Sequence, residues 1–369
     1  MEKKREKVRE HAQIGRSQET LSGKRRHRRP GAFALLALLS VLALLLQACG
    51  AAGSGRSVLA DEKPESSASA SPDASDSSGQ TLTFGYVGGY SLIAGAEGWG
   101  IHTGIFQEEL GKYGITEIKP VGFKVGPDLN EAIISGSVDI GHSGDTPAIL
   151  NRAKGAKTRL ISQPDIEMNS LIIVRDDGPQ TVAELEGKTI AIVKGSIMHR
   201  YLVGTLAAGG VKNAKQISIG STTTDSLAAL AKGEIDAVAA TDSLVYKLLE
   251  GGGYRVIDNA SDHPELLATG SVVVTEDYVN KVPDIAKAWD AARTKALADL
   301  KSKPDEYYAF VSELYGLSTE AVKTLYPIEG IAEQSFSDEG IARVEGSKDF
   351  LVKEGLAAAD FDINDWILR

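Results

Sequence analysis

The sequence contains one cysteine and six histidines in 369 residues, and this scarcity excludes several kinds of protein. A single cysteine, Cys49, cannot form a disulfide within the chain, so the fold does not depend on disulfide bonds. No cluster of His, Cys and acidic residues has the spacing of metal ligands, so the sequence predicts no metal site. Two of the histidines, His11 and His27, fall within the first thirty residues, which leaves few candidates for a histidine-dependent catalytic site.

An excess of positive charge is also missing. The chain has a net charge of −10, and its first 48 residues carry eleven Lys or Arg and four Glu, so without them the net charge is about −17. Proteins that bind nucleic acids need a basic face, and a body this acidic predicts no such partner. An anionic ligand would have to be held by local donors, because the overall field of the protein repels it.

The N-terminal region has the organisation of an export signal. Residues 1–30 are basic, and a run of apolar and small residues, Gly31–Leu46, leads to Cys49. This run of 16 residues is shorter than the roughly 20 that a membrane-spanning helix needs, although an N-terminal anchor helix is the alternative. The position of Cys49 resembles the lipobox of bacterial lipoproteins, with Gln47 an uncommon residue for that motif. We therefore predict that residues 1–48 are a lipoprotein signal peptide and that Cys49 carries lipid.

The rest of the chain divides into a linker and a folded body. Residues 49–80 consist mainly of Ser, Ala, Gly and Asp, which predicts a flexible tether after the lipidated cysteine. From Thr81 onward short strand-like runs alternate with helical patterns, as at Thr81–Val87 and Ile197–Ala208, and from Val282 the pattern is helical. This alternation predicts an α/β fold with parallel sheets covered by helices. Nearly 290 residues are enough for two lobes with separate cores.

An internal repeat supports two lobes of similar build. Residues 129–140 read as a helix, a glycine and a short strand, and residues 226–237 repeat that pattern 97 positions later. The matched positions are Gly136 with Gly233, Asp139 with Asp236, and Asp145 with Asp242. Any helix that ends in a glycine before a strand has part of this pattern. The alternative is two lobes facing each other across a cleft, with ligand at the carboxyl ends of the strands.

Two motifs resemble catalytic or nucleotide-binding loops but lack a required residue. The segment 141–145 reads Gly-His-Ser-Gly-Asp, and Asp145 stands where the serine-hydrolase elbow needs a small residue. The segment 187–189 reads Gly-Lys-Thr, but Val182 replaces the first glycine of a phosphate loop and a strand follows instead of a helix. The sequence therefore predicts neither a serine hydrolase nor a phosphate-binding loop.

Three turns between a strand and a helix are rich in small and hydroxyl-bearing residues, at 143–147, 194–196 and 220–225. Each offers free backbone N–H groups at the positive end of a helix, which can hold an anion without a basic residue. Ordinary N-capping by Ser, Thr and Asp explains any one of these turns equally well. Several of them in one α/β body favour a ligand site.

These motifs resemble a known family, the periplasmic solute-binding proteins for aliphatic sulfonates, taurine and nitrate, and most closely its sulfonate branch. The resemblance runs from about Leu82 to the C-terminus. It is carried by Phe84-Gly85-Tyr86 with Gly104-Ile105-Phe106, by Ser135–Gly141 leading into Ser143–Pro147, by Leu185–Ala191 leading into Lys194-Gly195-Ser196 and His199, and by Gly233–Ala237 followed by Asp242.

The resemblance implies the two-lobe periplasmic-binding-protein fold of type II, an α/β fold in which each lobe is a mostly parallel sheet with flanking helices and the lobes share a double hinge. Lobe one is expected at residues 81–173 plus 275–369, and lobe two at 174–274. No catalytic residue or cofactor is implied. The expected ligand contacts are Gly89, Tyr90, Ser143, Gly144, Asp145, Thr146, Gly195, Ser196, His199, Thr222 and Asp242.

The predicted function is the capture of a small organic anion for the membrane permease of an ABC importer, without catalysis. The protein is expected to be a monomer, secreted and lipid-anchored to the outer face of the cell membrane or to the periplasmic side of an envelope membrane. Asp145 and Asp242 would repel a bare anion. Either their carboxylates cap local backbone, or the ligand has a cationic or hydroxyl-bearing end, as an amino-sulfonate or a larger zwitterion would.

Several alternatives stay open from the sequence. The cargo could instead be nitrate, a thiamine precursor or a small carboxylate. An enzyme on the same scaffold, such as a pyrimidine-forming or menaquinone-pathway protein, is disfavoured by the export signal and Cys49. A sensor ectodomain is disfavoured because no membrane span or signalling domain follows Arg369.

Overall fold

A computed structural model describes residues 79–220 and 223–369, apart from the side chain of Asp242, and it contains two five-stranded sheets. The first sheet consists of β1 (Gln80–Val87), β2 (Ile115–Phe123), β3 (Ile140–Gly144), β4 (Thr158–Ser162) and β10 (Gly270–Thr275), in the order β2-β1-β3-β10-β4. The second consists of β5 (Leu171–Arg175), β6 (Thr189–Ala191), β7 (Lys215–Ile217), β8 (Ala237–Ala240) and β9 (Tyr254–Asn259), in the order β7-β6-β8-β5-β9. We call the two sheets with their helices lobe one and lobe two.

Helices cover both sheets. Lobe one contains α1 (Gly95–His102), α2 (Ile105–Gly111), α3 (Gly126–Ile134), α4 (Asp145–Ala153) and, after β10, α8 (Glu276–Lys281), α9 (Ile285–Ser302), α10 (Pro304–Tyr315), α11 (Thr319–Leu325), α12 (Asp338–Lys353) and α13 (Ile363–Trp366). Lobe two contains α5 (Ile197–Ala208), α6 (Thr223–Lys232) and α7 (Asp242–Glu250). In the described part of the chain, every helix is too short or too polar to cross a membrane.

The direction of one strand in each sheet follows from the way the chain passes between the lobes. The chain crosses at residues 163–170 and returns at 260–269. The strand after each crossing, β5 or β10, enters its sheet from the cleft and is antiparallel to both neighbours. The other strands end at the cleft, as the parallel pairs of β1 with β2 and of β6 with β7 show. The predicted α/β class is confirmed, with mixed sheets in which four of five strands share one direction.

Each lobe buries its own apolar residues on both faces of its sheet. In lobe one, Trp289 of α9 is fully buried, and its ring centroid lies 5.3 Å from that of Phe84 and 4.9 Å from that of Phe106. In lobe two, Tyr201 and Leu202 of α5 are fully buried against the sheet. Each large side chain buried in this way contributes roughly 1.5–3 kcal/mol to the free energy of folding. Two separate cores let each lobe keep its own shape.

The internal repeat of the sequence is also a repeat of hydrogen bonds. In lobe one, the Asp139 carboxylate accepts the N–H of Thr83 at 2.8 Å, and the Asp139 N–H donates to the Thr83 carbonyl at 3.0 Å. In lobe two, Asp236 and Thr189 make the same two bonds at 2.8 and 2.9 Å. The preceding glycines match as well, because Gly136 and Gly233 end their helices with φ of +75° and +74°. The same pair of hydrogen bonds therefore joins β1 to the start of β3 in lobe one and β6 to the start of β8 in lobe two.

We expect Asp139→Ala and Asp236→Ala each to lower the free energy of unfolding by about 1–3 kcal/mol, because each leaves a backbone N–H without its charged acceptor. Asp139→Asn and Asp236→Asn should lose less, since the amide oxygen can still accept that bond. Urea unfolding of the purified protein measures all four values. Glu131→Ala, an exposed change on α3, is the control. Equal stability of the alanine variants and the control would contradict the repeated role of these aspartates.

Candidate ligand-binding cleft

Two of the predicted turns, from opposite lobes, meet at the cleft. Residues 143–146 join β3 to α4, and residues 193–196 join β6 to α5. A side chain at Gly144 would place its Cβ 2.4 Å from Cγ2 of Ile197, and one at Gly195 would lie 3.5 Å from Cδ1 of Leu150. The two walls are therefore in contact through the glycines of the predicted motifs. A larger residue at position 144 would push the walls apart.

The Asp145 carboxylate lies inside this contact and is fully buried. Its Oδ1 accepts the N–H of Thr146 at 2.5 Å and the hydroxyl of that residue at 3.0 Å. Its Oδ2 accepts the N–H of Thr269 at 3.1 Å and the hydroxyl of Ser347 at 2.7 Å. Of the two alternatives left open by the sequence, local capping describes Asp145. Four protein donors already surround its carboxylate, and its expected contact with ligand stays a prediction.

The serine hydroxyl groups of the predicted turns also form hydrogen bonds with the backbone of the same turns. Ser143 and Ser196 are each 6% exposed, and Thr146 is 1% exposed. The Ser143 hydroxyl donates to the carbonyl of Gly144 at 3.1 Å. The Ser196 hydroxyl donates to the carbonyl of Val193 at 2.6 Å and accepts the N–H of His199 at 3.3 Å, as an N-cap does. These groups shape the turns that carry the helix N-termini.

His199, near the start of α5, forms a hydrogen bond with the loop that precedes this helix. Its Nδ1 accepts the N–H of Gly195 at 3.2 Å, and Gly195 has a φ of +76° that favours glycine. Burial lowers the pKa of His199, and the positive charge of Lys194 lowers it further. A neutral ring keeps the lone pair on Nδ1 that this hydrogen bond requires.

The loop between β1 and α1 presents an aromatic side chain. Tyr90 is 46% exposed, and its ring centroid lies 4.6 Å from that of Tyr315 on α10. The Tyr86 hydroxyl donates to the Tyr90 carbonyl at 2.9 Å, which fixes the loop from below. Gly122 of β2 leaves room for it, because a Cβ there would lie 2.8 Å from the carbonyl oxygen of Gly88. The predicted loop residues Gly89 and Tyr90 are both exposed.

Between the lobes lies a cavity of about 200 Å³ that the sequence did not predict. It is lined by Val125, Pro127 and Asp128 of lobe one and by Ile192, Val193, Lys194, Ser218, Ile219 and Gly220 of lobe two. We call it the interlobe cavity. Lys194 and Gly220 belong to predicted turns, whereas none of the residues that line it was an expected ligand contact.

Three predicted residues cannot be placed. Thr222 and Cys49 lie outside the described residues. Asp242 is the first residue of α7, as Asp145 is of α4, but its side chain is outside the described part.

Lys194 lies in a predicted turn but was not among the expected ligand contacts. It is exposed, and its ammonium group makes no ion pair or hydrogen bond with any group that the structure describes, a description that leaves out the Asp242 side chain. The sequence held a signal for it, because Lys194 opens the Lys-Gly-Ser turn of an acidic chain. Two other lysines of lobe two do lie near a carboxylate: Lys188 is 3.9 Å from Asp236, and Lys232 is 4.0 Å from Glu234.

A buried polar cluster lies beside the turn of lobe one. His142, the neighbour of Ser143, is half-buried with its Nδ1 enclosed, and burial lowers its pKa, with Arg293 lowering it further and Glu97 acting against both. Glu97 and Arg293 are fully buried, with Oε1 and Nε 3.6 Å apart. Sequence analysis missed this cluster because its members come from α1, β3 and α9. Among the described residues, no group of His, Cys, Asp or Glu is placed to hold a metal ion.

Comparison with known proteins agrees with this architecture. Residues 124–307 match the family model described as NMT1/THI5 like. This chain carries an NMT1/THI5-like domain. A protein of Escherichia coli strain K12, named as an aliphatic sulfonates-binding protein, is 30% identical over 214 residues, which span 57% of this chain and 66% of that relative. The predicted resemblance to the sulfonate-binding family is confirmed.

Solved structures establish the fold. The alkanesulfonate-binding protein SsuA from Xanthomonas axonopodis pv. citri, bound to MOPS, superposes with a TM-score of 0.67 at 23% identity, over 78% of this chain and 98% of that one. The desulfurization enzyme DszB superposes with a TM-score of 0.61 at 19% identity, over 78% of this chain and 96% of that one. The predicted two-lobe binding-protein fold is confirmed, and the same fold also carries an enzyme.

We expect the protein to lose stability as the pH falls below about 6.5, the ordinary pKa of histidine. The pKa values of His142 and His199 are lowered in the folded state, so the unfolded chain takes up protons that the folded chain does not. The stabilisation is complete above pH 6.5 and is lost towards the lower folded pKa values. Urea unfolding between pH 5 and pH 7.5 measures the slope.

The matched variant for this measurement is His142→Gln, which removes one titrating group from the core. Its free energy of unfolding should depend less steeply on pH than that of the unchanged protein, whatever its absolute stability. Gln107→Ala, an exposed change that removes no titrating group, should keep the original slope. Identical slopes for all three proteins would show that the buried histidine does not control acid sensitivity.

Proposed function

We propose that this protein is the extracytoplasmic solute-binding component of an ABC importer and that it captures a small organic anion with a sulfonate-type acidic head between its two lobes. The observation that carries the proposal is the meeting of helix-opening turns from both lobes at one cleft, in a chain with the fold of SsuA. The E. coli relative named for aliphatic sulfonates supports the same class of ligand.

Binding would use the positive ends of helices. The helices α3, α4 and α5 all begin at the cleft, and no side chain caps the first turn of α3 or of α4 from its N-cap residue. The first turns of α3 and α5 have N–H groups that can donate to the oxygens of an acidic head, whereas in α4 the N–H groups of Asp145 and Thr146 already donate to the Thr269 carbonyl and the Asp145 carboxylate. A ligand that touches both lobes gains contacts only when the lobes are together, so it would shift the population towards the closed arrangement that the permease recognises.

The organic part of the ligand would lie towards the loop of Tyr90. That ring is half exposed and packs against Tyr315 at an interplanar angle of 54°, so a further apolar group could cover its free face. MOPS, the ligand of the SsuA protein from Xanthomonas, is a sulfonate that carries a ring amine. It shows that this fold can hold an organic sulfonate with a second polar end.

Hydrolysis on the same scaffold is the second candidate, since DszB is an enzyme with this fold. The geometry at Ser143 favours binding. Its hydroxyl donates to the neighbouring Gly144 carbonyl, and none of the described histidines accepts from it. A nucleophilic serine needs an adjacent base. We therefore infer that the protein releases its ligand unchanged, and detection of a desulfonated product after incubation would overturn that inference.

The location of the protein is part of the proposal. The basic head, the apolar run Gly31–Leu46 and Cys49 support export and lipid attachment, with the tether at 49–80 holding the lobes near the permease. The relatives support a position outside the cytoplasm. A monomer is expected to suffice, because both walls of the cleft come from one chain.

We expect alkanesulfonates to raise the melting temperature of the purified protein, because a ligand that binds only the folded state adds RT ln(1 + [L]/Kd). At a ligand concentration of 100 Kd this is about 2.7 kcal/mol. A thermal-shift series of sulfonates, nitrate and small carboxylates, with sodium sulfate at matched ionic strength as the control, measures it. A shift with nitrate or carboxylates alone, and none with any sulfonate, would reject the proposed cargo.

We expect the full chain, expressed in a bacterium, to incorporate labelled palmitate and to sediment with membranes. Cys49→Ser should abolish both, because the thiol is the only site in the chain for a thioether-linked lipid. Gln47→Ala, which leaves the thiol in place, is the matched control and should remain labelled. An unlabelled native chain that still sediments with membranes would support the anchor-helix alternative instead.

A further inference from the structure

A hydrogen bond joins the two lobes directly. The ammonium group of Lys247, on α7 of lobe two, donates to the carbonyl oxygen of Gly316 at 2.9 Å. Gly316 follows the last residue of α10 in lobe one, and its φ of +59° ends that helix. The carboxyl end of a helix carries a partial negative charge that favours a cation. Lys247 therefore places a positive charge at the negative end of a helix of the opposite lobe.

Several other lysines pair within their own lobe. Lys188 and Lys232 lie near carboxylates of lobe two, and Lys295 and Lys301 bond to carboxylates of lobe one. Interactions of that kind are unaffected when one lobe moves relative to the other. The bond of Lys247 has one partner in each lobe, so it exists only while the lobes are together.

A second interaction connects α7 with the helices of lobe one. Burial raises the pKa of the Tyr246 hydroxyl on α7, and the charges of Glu250 on the same helix and of Glu320 on α11 raise it further. Coulombic interactions weaken with distance, so an effect of Glu320 places the start of α11 near α7. The bond of Lys247 therefore belongs to a wider approach of α7 to lobe one.

Both partners of the bond belong to elements that carry predicted ligand contacts. Helix α7 begins at Asp242. Beside Gly316, the Tyr315 ring packs against that of Tyr90, with centroids 4.6 Å apart, and the Tyr315 hydroxyl accepts the N–H of Ala94 at 2.8 Å. The carboxyl end of α10 therefore contacts both the loop of Tyr90 and lobe two.

The crossings between the lobes provide a joint about which this bond can break. The Met168 N–H donates to the Ala268 carbonyl at 2.8 Å, and the Ala268 N–H donates to the Met168 carbonyl at 3.0 Å. Hinge motion can occur at a few such residues while the lobes keep their shapes. Helices α7 and α10 belong to the lobes themselves, so separation of the lobes breaks the bond between Lys247 and Gly316.

We propose that the bond of Lys247 to Gly316 is a latch that stabilises the closed arrangement of the lobes before any ligand arrives. The bond lowers the free energy of the closed state and not that of the open state, so it raises the closed fraction of the free protein. A ligand then needs a smaller preference for the closed state to complete closure, and release requires the latch to break. This inference goes beyond the proposed function, because it concerns the two lobes and holds for any cargo.

Single-molecule fluorescence energy transfer without ligand measures the ratio of closed to open molecules. Cys49→Ser removes the only thiol of the chain, so the dyes attach at two introduced cysteines. These are Glu131→Cys in lobe one and Lys232→Cys in lobe two, both at exposed positions. Lys247→Met, which cannot donate to a carbonyl, should lower the closed-to-open ratio about three- to tenfold, as the loss of one hydrogen bond would.

Three control substitutions should keep that ratio within about twofold. Lys247→Arg keeps a cationic donor in reach of the carbonyl. Gly316→Asn keeps the carbonyl, because asparagine tolerates the left-handed conformation and no heavy atom lies within 4 Å of a Cβ at that position. Lys212→Met removes the same charge from another exposed position of lobe two. Urea unfolding of every variant shows whether a lower ratio reflects a loss of folding.

The outcomes decide whether the latch exists. A lower ratio in Lys247→Met that Lys247→Arg restores would support it. An unchanged ratio in Lys247→Met would overturn it, and so would an equal decrease in Lys247→Arg or Lys212→Met. A native chain that is entirely open without ligand would overturn it as well. None of these results affects the proposed function, which the thermal-shift series with sulfonates tests separately.

Discussion

The buried carboxylate of Asp145 is the interaction on which the geometry of the cleft depends. It binds the first turn of α4 through Thr146, the second interlobe crossing through Thr269, and helix α12 through Ser347. These contacts bring together segments more than one hundred residues apart in sequence. A buried charge is tolerated only when donors surround it, so the three segments must arrive together. The position of the Ser143–Thr146 turn, and with it one wall of the cleft, follows from this requirement.

The repeated pair of bonds at Asp139 and Asp236 explains why much of the fold could be predicted from the sequence. Each repeat places a helix, a left-handed glycine and a strand in the same order, and these are local signals. The predicted helix Ile197–Ala208 has the bounds of α5 for the same reason. The antiparallel direction of β5 and β10 could not be predicted in this way, because it depends on where the chain crosses between lobes. Strand β7 has only three residues, too few to show the alternation of apolar and polar side chains by which a strand is predicted.

The candidate site was harder to predict than the fold. Hydroxyls that cap a helix and hydroxyls that bind an anion occur in the same turns, so the sequence did not distinguish the two roles at Ser143 and Ser196. The structure shows both groups engaged with their own turns. Lys194 and Asp128 are 66 residues apart in the sequence and on different lobes, and only folding places them on one cavity. Neither side chain forms an ion pair with another described residue, and a sequence alone does not reveal such an absence.

The acidity of the chain makes the unpaired Lys194 significant for the attraction of an anion. Without the predicted signal peptide, the chain has a net charge of about −17, so carboxylates are plentiful. A carboxylate lies within 4 Å of the ammonium group of several lysines, namely Lys295, Lys301, Lys303 and Lys348. An exposed ammonium group at the cleft that has no such partner keeps its full attraction for an incoming anion. Lys194 therefore gives the cleft a local attraction for anions in a chain whose overall field repels them.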